Sequence, residues 1–374
     1  MTKDILFIVQ NSIFLNDGYR SRIEMEIDIL GDQYRYFFLA PREDDNDILN
    51  FSKVYKIFYY KGCARKKPFF LEQNEFNKTL GIILEQMDQP LVICEAFQSA
   101  YLYDKYKKSK PKFLYDCHGS QSAEIYMRRR NLIGLLYSTY IKNYEKRILK
   151  DAALVITVSN NQYNQWHIDK NWCKLPMLPA EQFFDNDNYR ELIRTKLKIE
   201  QGSTVFVYSG QSQKWQMAEE TVKIYKEIEG NSTNSFFLIL THDIEVFNDL
   251  ANRYGIKRFR IISVDHRDMP KYLDACDFGF CLRENDEVNI VSSPTKVLEY
   301  LTRNVKPILT EFVGDYSQEL ASKGLAIIKE KGLFPLEKIK SNNGMKYVMT
   351  EYNNYSREYS DKVRNIINEN ENRF

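Results

Sequence analysis

The second half of the chain alternates short apolar runs with segments of helical period, and this alternation constrains the fold more than any other feature. Such runs predict buried strands, and the polar-faced segments between them predict helices. The predicted strands cover 204–210, 236–240, 260–263 and 277–281, and the predicted helices end near 229 and cover 244–254 and 268–275. Strands that alternate with helices form parallel sheets. This half therefore predicts a doubly wound α/β domain.

The first half repeats the pattern. The apolar run Ile5–Val9 predicts a first strand, and after a polar loop Gly18 opens a helix that continues to about Leu30. A strand, a glycine-containing loop and a helix commonly begin a doubly wound unit. Further strands are predicted over 34–39, 54–59, 91–93, 112–115 and 153–159, with helices over 75–87, 98–108 and, as one long helix, 123–152. The predicted fold class is α/β with two Rossmann-like domains.

The boundary between the two predicted domains lies where the periodicity lapses. This happens around Pro176 and Pro179, and the polar segment 182–188 that follows has no clear period. We therefore predict an N-terminal domain over 1–180, a second domain over 181–350 and a C-terminal helix over 351–374. With 374 residues, of which 43% are hydrophobic, the chain can build two cores.

Composition and charge exclude several classes of function. The net charge is +2, from 53 basic and 51 acidic residues, so nothing indicates a nucleic-acid partner. The N-terminus lacks a signal-peptide pattern, and the apolar stretch 132–141 is too short to cross a bilayer, so we expect a cytoplasmic protein. The acidic run Asp44–Asp47 is interpreted as a solvated loop, and no metal or other cofactor is predicted. Six cysteines without zinc spacing are interpreted as reduced core residues: Cys63, Cys94, Cys117, Cys173, Cys276 and Cys281.

One segment of the second half predicts a helix start that suits a phosphate. Ser293 fits the N-cap and Pro294 the first helical position. The amides of Thr295 and Lys296 would be unpaired at the positive end of the helix dipole. Glu299 lies roughly 6 Å further along the axis, where its carboxylate could accept hydrogen bonds from ribose hydroxyls. The pattern indicates a nucleotide-sugar site, although a capped surface helix with solvated side chains would begin in the same way.

The same segment carries a resemblance to a known family. Pro-Thr-Lys-x-x-Glu-Tyr-Leu from Pro294, Lys-Pro-Ile-Leu-Thr from Lys306 and Val-Gly-Asp from Val313 resemble the donor-binding segment of retaining glycosyltransferases with the GT-B fold. Within that group the chain is similar to glycosyltransferase family 4, group 1, of the bacterial surface-polysaccharide type. The resemblance is strongest over 204–315 and moderate over 112–160. It implies two Rossmann-like domains facing a central cleft.

The resemblance implies functional residues in the first half. A His followed by Gly at the carboxyl end of a strand faces the crevice of an open α/β sheet. His118 stands there, and it matches an active-site His that hydrogen-bonds the donor sugar in family members. Gly18 and Arg22 stand where the family's first loop approaches the donor phosphates or the acceptor.

The donor-binding residues are implied for the second half. Ser209 and Gly210 form a small-residue turn whose amides could approach a diphosphate, and the resemblance implies that Lys214 neutralises its charge. Two positions depart from the family, because Gln211 stands where an Arg is common and Val291 replaces a Glu that contacts the donor sugar. Three residues are candidates to replace that Glu, and spacing does not choose among them: Glu284, Glu287 and Asn289.

Basic clusters lie in the first half of the chain. Arg128, Arg129 and Arg130 stand near the start of the predicted long helix, and a second cluster covers 105–112. Solvated helix faces are one interpretation. Attraction to anionic lipid head groups is the other, and it would suit a lipid-linked acceptor at the inner face of the cell membrane.

These observations together predict a retaining hexosyltransferase. It would move a sugar from a UDP- or GDP-sugar donor to a hydroxyl of a glycan or lipid-linked acceptor, in the biosynthesis of capsule, O-antigen or a similar surface polysaccharide. Val291 and Gln211 keep a second hypothesis open, a catalytically inactive partner subunit of the same fold. A sugar-nucleotide epimerase would need a pair of carboxylates facing the sugar, and the sequence alone does not indicate one.

Overall fold

The computed structural model of the chain describes residues 3–9, 18–42, 53–62, 69–167, 171–329 and 343–371. The chain divides into two compact units. Unit 1 comprises Met1–Pro176 and Asn354–Phe374, and unit 2 comprises Met177–Asn353. The division falls at Pro176, where the periodicity of the sequence lapses. The last helix contributes its first part to unit 2 and the remainder to unit 1.

Unit 1 is a parallel sheet with helices between its strands. Its described strands are β1 (Lys3–Ile8), β2 (Tyr34–Arg42), β3 (Val54–Lys61), β4 (Leu91–Glu95), β5 (Phe113–Cys117), β6 (Leu154–Thr157) and β7 (Trp172–Lys174). Its helices before the last are α1 (Gly18–Leu30), α2 (Gln73–Gln86), α3 (Ala96–Asp104), α4 (Gln121–Arg128), α5 (Leu132–Asp151) and α6 (Asn160–Trp166). Every strand pair in the described sheet is parallel, and the order is β3-β2-β1-β4-β5-β6-β7.

Unit 2 has the same architecture. Its described strands are β8 (Thr204–Ser209), β9 (Ser235–Leu240), β10 (Phe259–Ile262), β11 (Phe278–Cys281), β12 (Lys306–Leu309) and β13 (Ile327–Ile328), in the order β10-β9-β8-β11-β12-β13. Its helices are α7 (Arg190–Leu197), α8 (Ala218–Asn231), α9 (Ile244–Arg253), α10 (Met269–Leu273), α11 (Glu287–Ile290), α12 (Thr295–Thr302) and α13 (Tyr316–Ser322), followed by the start of α14 (Asn343–Glu371). All its strand pairs in the described sheet are parallel.

The strand orders place a switch point in each sheet. The chain reverses its direction of winding between β1 and β4 in unit 1 and between β8 and β11 in unit 2. Strands beside these points, such as β4 and β11, are buried along their whole length because helices cover both faces. Ligands of open α/β sheets bind outside the carboxyl ends of the strands at such points. The alternation of strands and helices that the sequence predicts is confirmed.

Two local predictions were wrong. The segment 123–152 is two helices, because the chain leaves the helical conformation at Arg129 and the side chain of Asn131 caps α5 by accepting a hydrogen bond from the Gly134 amide at 2.8 Å. Helix α12 begins at Thr295 and not at Pro294, which itself occupies the N-cap position without a side-chain cap. Ser293 instead hydrogen-bonds the Tyr316 hydroxyl at 2.9 Å.

The described cysteines agree with the predicted core role, since all five are buried with free thiols. Cys63, the acidic run Asp44–Asp47 and the predicted polar loop over 10–17 lie outside the described residues. Among the helices that the structure describes, none is both long enough and apolar enough to cross a membrane.

Candidate functional site

A cluster of charged side chains lies at the carboxyl ends of β4 and β5 in unit 1. We call it the histidine cluster; its members are Arg22, Glu95, Asp116 and His118. The β4–β5 register pairs Glu95 with Asp116, and His118 follows β5 directly. Its Nε2 lies 2.8 Å from Glu95 Oε2 and 2.9 Å from Asp116 Oδ2. The sheet thus brings two carboxylates onto the one His that the sequence predicted as functional.

Arg22 on α1 holds Asp116 of this cluster in place. Its guanidinium donates to both oxygens of Asp116, at 2.8 and 2.9 Å, and to the Leu175 carbonyl at 2.5 Å. Its Nε is also 3.3 Å from Glu26, whose carboxylate accepts from the Tyr359 hydroxyl at 2.7 Å. Arg22 is only 1% exposed. The expectation that it faces an acceptor or a membrane is therefore corrected: it neutralises buried carboxylates.

The protonation states follow from burial and charge. Burial would lower the pKa of His118, but Asp116 and Glu95 raise it to about 9. Burial, with the charge of Asp116, raises the pKa of Glu95 to about 7. Burial opposes ionisation of Asp116, yet Arg22 and His118 hold its pKa below the usual range. At neutral pH His118 is an imidazolium, and its Nδ1 has no hydrogen-bond partner among the described residues.

The backbone beside this cluster is strained. Ala96 follows Glu95 and is the first residue of α3. Its φ is +62°, a left-handed conformation that costs free energy for any residue with a Cβ. Such strain persists where the surrounding structure fixes it, and it is concentrated at functional sites. The turn positions Glu95 at the end of β4 rather than allowing the strand to continue.

Glu95, Asp116 and His118 form a group whose ligand atoms lie within 4.8 Å of one another, as a metal site would require. The chemistry of the cluster opposes a cation there. Both Asp116 oxygens already accept from the Arg22 guanidinium, and His118 is protonated near neutral pH. The arrangement fits a hydrogen-bond donor held in place by carboxylates better than a metal site.

The raised pKa of His118 predicts a pH dependence of stability. Because its folded pKa exceeds the ordinary value of 6.5, the charged form stabilises the fold fully below pH 6.5, and this contribution is lost as pH rises through about 9. We expect the melting temperature of His118→Gln to fall less steeply than that of the wild type over this interval. Scanning calorimetry against pH measures the slopes, with His242→Gln in unit 2 as the control. Equal slopes for wild type and His118→Gln would contradict the assignment.

In unit 2 the turn after β8 meets α12 through Lys296. The ammonium donates to the Ser209 carbonyl at 2.5 Å and to Gln216 Oε1 at 2.7 Å. Gly210 has φ +133°, a conformation that favours glycine, and a Cβ there would lie 2.7 Å from Gln216 Oε1 and 2.8 Å from Lys296 Nζ. We call Ser209, Gly210, Gln216, Lys296 and Arg283 the lysine cluster. The structure therefore brings the turn after β8 and the start of α12 into contact.

Arg283 is the member of this cluster that sequence reasoning missed. It follows β11 closely, is 7% exposed, and donates from Nη1 to the Leu282 carbonyl at 2.8 Å. Burial lowers the pKa of Lys296 to about 8, and the charge of Arg283 acts in the same direction. Neither cation has a carboxylate within ion-pair distance in the described part of the chain. Two neighbouring cations that form no ion pair with a described carboxylate indicate a site for an anion.

The remaining predicted donor-binding residues take varied positions. Glu299 was expected on a free face of α12, but it is 7% exposed and its Oε1 lies 2.9 Å from His266 Nε2. This hydrogen bond raises the pKa of His266. Lys214 is exposed, in the same 3-10 turn that supplies Gln216. Gly18 is the exposed first residue of α1.

Val291, where the resemblance implies a Glu, and its neighbour Asn289 both hold the local structure. Val291 is 1% exposed and belongs to the core. The Asn289 side chain donates to the Glu284 backbone carbonyl at 3.0 Å. The backbone carbonyl of Asn289 accepts from the Gly314 amide at 3.2 Å. Asn289 therefore shapes the loop after β11, which leaves Glu284 and Glu287 as the candidates to replace the Glu.

Comparison with known proteins identifies the fold. No protein-family model matches the chain, and no curated protein matches it. Solved structures match over nearly its whole length. Sucrose-phosphate synthase from Thermosynechococcus elongatus has 13% identity and a TM-score of 0.68, covering 97% of this chain and 94% of that one.

Two further solved structures agree. WaaG, a glycosyltransferase involved in lipopolysaccharide biosynthesis, has 12% identity and a TM-score of 0.61, covering 96% of this chain and 95% of that one. HepE from Anabaena, in complex with UDP, has 11% identity and a TM-score of 0.63, covering 97% and 94%. At such identities a match establishes architecture alone. With its two parallel-sheet units, the chain has the GT-B fold.

Proposed function

We propose that this protein is a retaining glycosyltransferase that uses a UDP- or GDP-sugar donor. The observation that carries the proposal is the pair of cations in the lysine cluster, Lys296 and Arg283, which have no carboxylate within ion-pair distance among the described residues. They stand at the switch point of unit 2 beside a glycine turn and the start of α12, a setting that suits a diphosphate. Matching structures of HepE contain UDP and UDP-glucose, which supports this ligand class.

Positioning and electrostatic stabilisation would carry the reaction. As the bond between sugar and diphosphate breaks, negative charge grows on the diphosphate, and Lys296 and Arg283 stabilise it. In a retaining reaction of this type the acceptor hydroxyl approaches the same face of the sugar, and the departing phosphate helps to take its proton. The two cations supply the positive charge locally, so the proposal includes no metal ion and no other cofactor. His118 acts in the transfer step as a hydrogen-bond donor, not as a nucleophile.

Glu299 completes the proposed donor site. Its Oε1 is held by His266, and we propose that Oε2 accepts hydrogen bonds from the ribose hydroxyls. The proposed acceptor is a hydroxyl of a glycan or lipid-linked glycan in surface-polysaccharide biosynthesis at the cytoplasmic face of the membrane. The sugar is proposed to be a hexose.

One observation favours a second candidate function. Val291 is a core residue where family members carry a Glu that contacts the sugar, which suits a partner subunit that binds a nucleotide but transfers nothing. An epimerase is less favoured, because the carboxylates of Glu95 and Asp116 are both engaged by His118.

A panel of nucleotide sugars tests the proposal. Thermal shift and slow donor hydrolysis would be measured with UDP- and GDP-sugars for the wild type, Glu299→Ala and His118→Ala. We expect one donor to raise the melting temperature of the wild type. Glu299→Ala should lose this shift, and His118→Ala should keep the shift but lose donor hydrolysis. A nucleotide shift without hydrolysis would favour the partner subunit. No shift with any donor would overturn the proposed enzyme.

A further inference from the structure

The first turns of α5 present large aliphatic side chains to solvent. The exposed fractions are 70% for Leu132, 70% for Ile133, 48% for Leu135 and 64% for Leu136. We call these four residues the aliphatic patch. Leu132 and Ile133 lie four and three positions from Leu136, so they adjoin it on the helix surface. Soluble proteins rarely expose large contiguous apolar patches, and such a patch commonly marks a site that binds a protein or a membrane.

The chain that enters α5 is positively charged and fixed against the patch. Arg128, Arg129 and Arg130 are all exposed; Arg128 is the last residue of α4, and the other two follow it in the break before α5. The Arg129 carbonyl packs on Gly134 so closely that a Cβ there would lie 1.9 Å from it. Asn131 caps the helix at the Gly134 amide. The three arginines are therefore held at the end of the helix that bears the aliphatic patch.

Further along the same face of α5, aromatic side chains lie next to a basic group. Tyr140 lies four residues after Leu136 and is 46% exposed. Tyr144 follows one turn later, and the Lys105 ammonium lies 5.0 Å from the centre of its ring. One carboxylate stands near the arginines, since Arg128 forms an exposed ion pair of 3.5 Å with Glu124. The face thus combines aliphatic side chains with an excess of positive charge.

We propose that this face docks on an anionic lipid bilayer. The aliphatic patch would enter the boundary between head groups and acyl chains, while Arg128–Arg130 and Lys105 meet lipid phosphates. Charge complementarity selects this occupant, because basic groups flank the apolar surface at both ends and an anionic interface accepts aliphatic side chains and arginines together. As a route to a lipid-linked acceptor the docking rests on the proposed function. As a binding surface it is independent of catalysis.

Vesicle flotation with the full chain tests the docking. The probes are phosphatidylcholine vesicles with and without phosphatidylglycerol, at low and high salt. One variant combines Leu132→Gln, Ile133→Gln and Leu136→Gln, and its control replaces three exposed aliphatics of unit 2: Leu192→Gln, Ile244→Gln and Val246→Gln. A second variant combines Arg128→Gln, Arg129→Gln and Arg130→Gln, and its control replaces three exposed basic residues of unit 2: Arg253→Gln, Lys257→Gln and Arg260→Gln.

We expect the wild type to float with the anionic vesicles and to be released by salt. The aliphatic variant should bind about a thousandfold more weakly, since it removes three aliphatic side chains and each contributes roughly a tenfold factor when buried. The arginine variant should bind about a hundredfold more weakly, because it removes three charges and each contributes about fivefold near an anionic surface. Both controls should bind as the wild type does.

Three outcomes would overturn the docking. They are no flotation of the wild type with either vesicle, an aliphatic variant that binds like the wild type, and sedimentation showing that the wild type is a dimer which the aliphatic variant dissociates. The last would assign the patch to a second copy. Donor hydrolysis without vesicles separates the two proposals, because it should be unchanged in the aliphatic variant. Vesicle binding by a protein that binds no nucleotide sugar would leave the docking intact and remove the proposed function.

Discussion

Replacing Lys296 by methionine is expected to lower kcat/KM for the nucleotide sugar by about a hundredfold or more. The substitution keeps the length of the side chain and removes the ammonium. A group aimed at charge that develops in the transition state is worth roughly 3–4 kcal/mol in enzymes, which corresponds to this loss. Methionine also leaves the Ser209 carbonyl and Gln216 Oε1 without their donor. Steady-state donor hydrolysis and UDP calorimetry measure the effect.

The pH dependence of UDP binding distinguishes a charge effect from a change of shape. Because the pKa of Lys296 is lowered to about 8, affinity should be constant below that pH and decline above it as the ammonium loses its proton. A bound anion favours the charged form and raises the pKa of Lys296 in the complex, so the decline that begins near pH 8 should level off above that higher pKa. Lys296→Met should show a weaker decline, whereas Lys257→Met, an exposed control, should behave as the wild type. UDP binding by Lys296→Met with wild-type affinity would contradict the role of Lys296.

The comparison of Lys214 with Lys296 shows where sequence reasoning stopped. The resemblance implies Lys214 at the diphosphate because it follows the Ser209–Gly210 turn in the chain, and the predicted helix start places Lys296 in the same donor site. The structure brings the Lys296 ammonium to that turn from 87 residues away, whereas Lys214 is exposed and its role stays a prediction. Separation along the chain is a local quantity, whereas the order of strands in a doubly wound sheet decides which loops meet. The alternation of strands and helices could be predicted because it depends on local hydrophobic period.

The histidine cluster shows the same limit. The place of His118 at the end of a strand is visible in the sequence, and Glu95 and Arg283 stand at equivalent places that the same rule could have found. Their partners were not predictable. The Glu95–Asp116 contact depends on the register of β4 against β5, and Arg22 reaches Asp116 across 94 residues. Burial of Arg22 and Glu26 could not be inferred from a helix that also carries the exposed charge of Asp28.

The burial of Arg22 leads to the second prediction of large effect. Arg22→Met is expected to destabilise unit 1 by about 3–5 kcal/mol, because it removes the guanidinium that donates to both oxygens of Asp116, which is fully buried. Removal of the partner also raises the pKa of Asp116, which Arg22 helps to hold low. In the wild type the low pKa contributes stability above the ordinary value of 3.8, and this contribution is lost as pH falls through the folded pKa. The difference between wild type and variant should therefore shrink as pH falls below 3.8.

Scanning calorimetry from neutral to acidic pH measures this difference. The matched control is Arg20→Met on the same helix, which removes a partly exposed pair with Glu24 at 2.8 Å and should cost less than about 1 kcal/mol. The double variant Arg22→Met and Asp116→Asn should recover part of the loss, because it removes the uncompensated charge together with its partner. Equal losses for Arg20→Met and Arg22→Met, or a double variant less stable than Arg22→Met alone, would show that burial of the Arg22–Asp116 pair does not govern the stability of unit 1. The double variant also bears on function, because Asp116→Asn removes a carboxylate that holds His118 in its charged form.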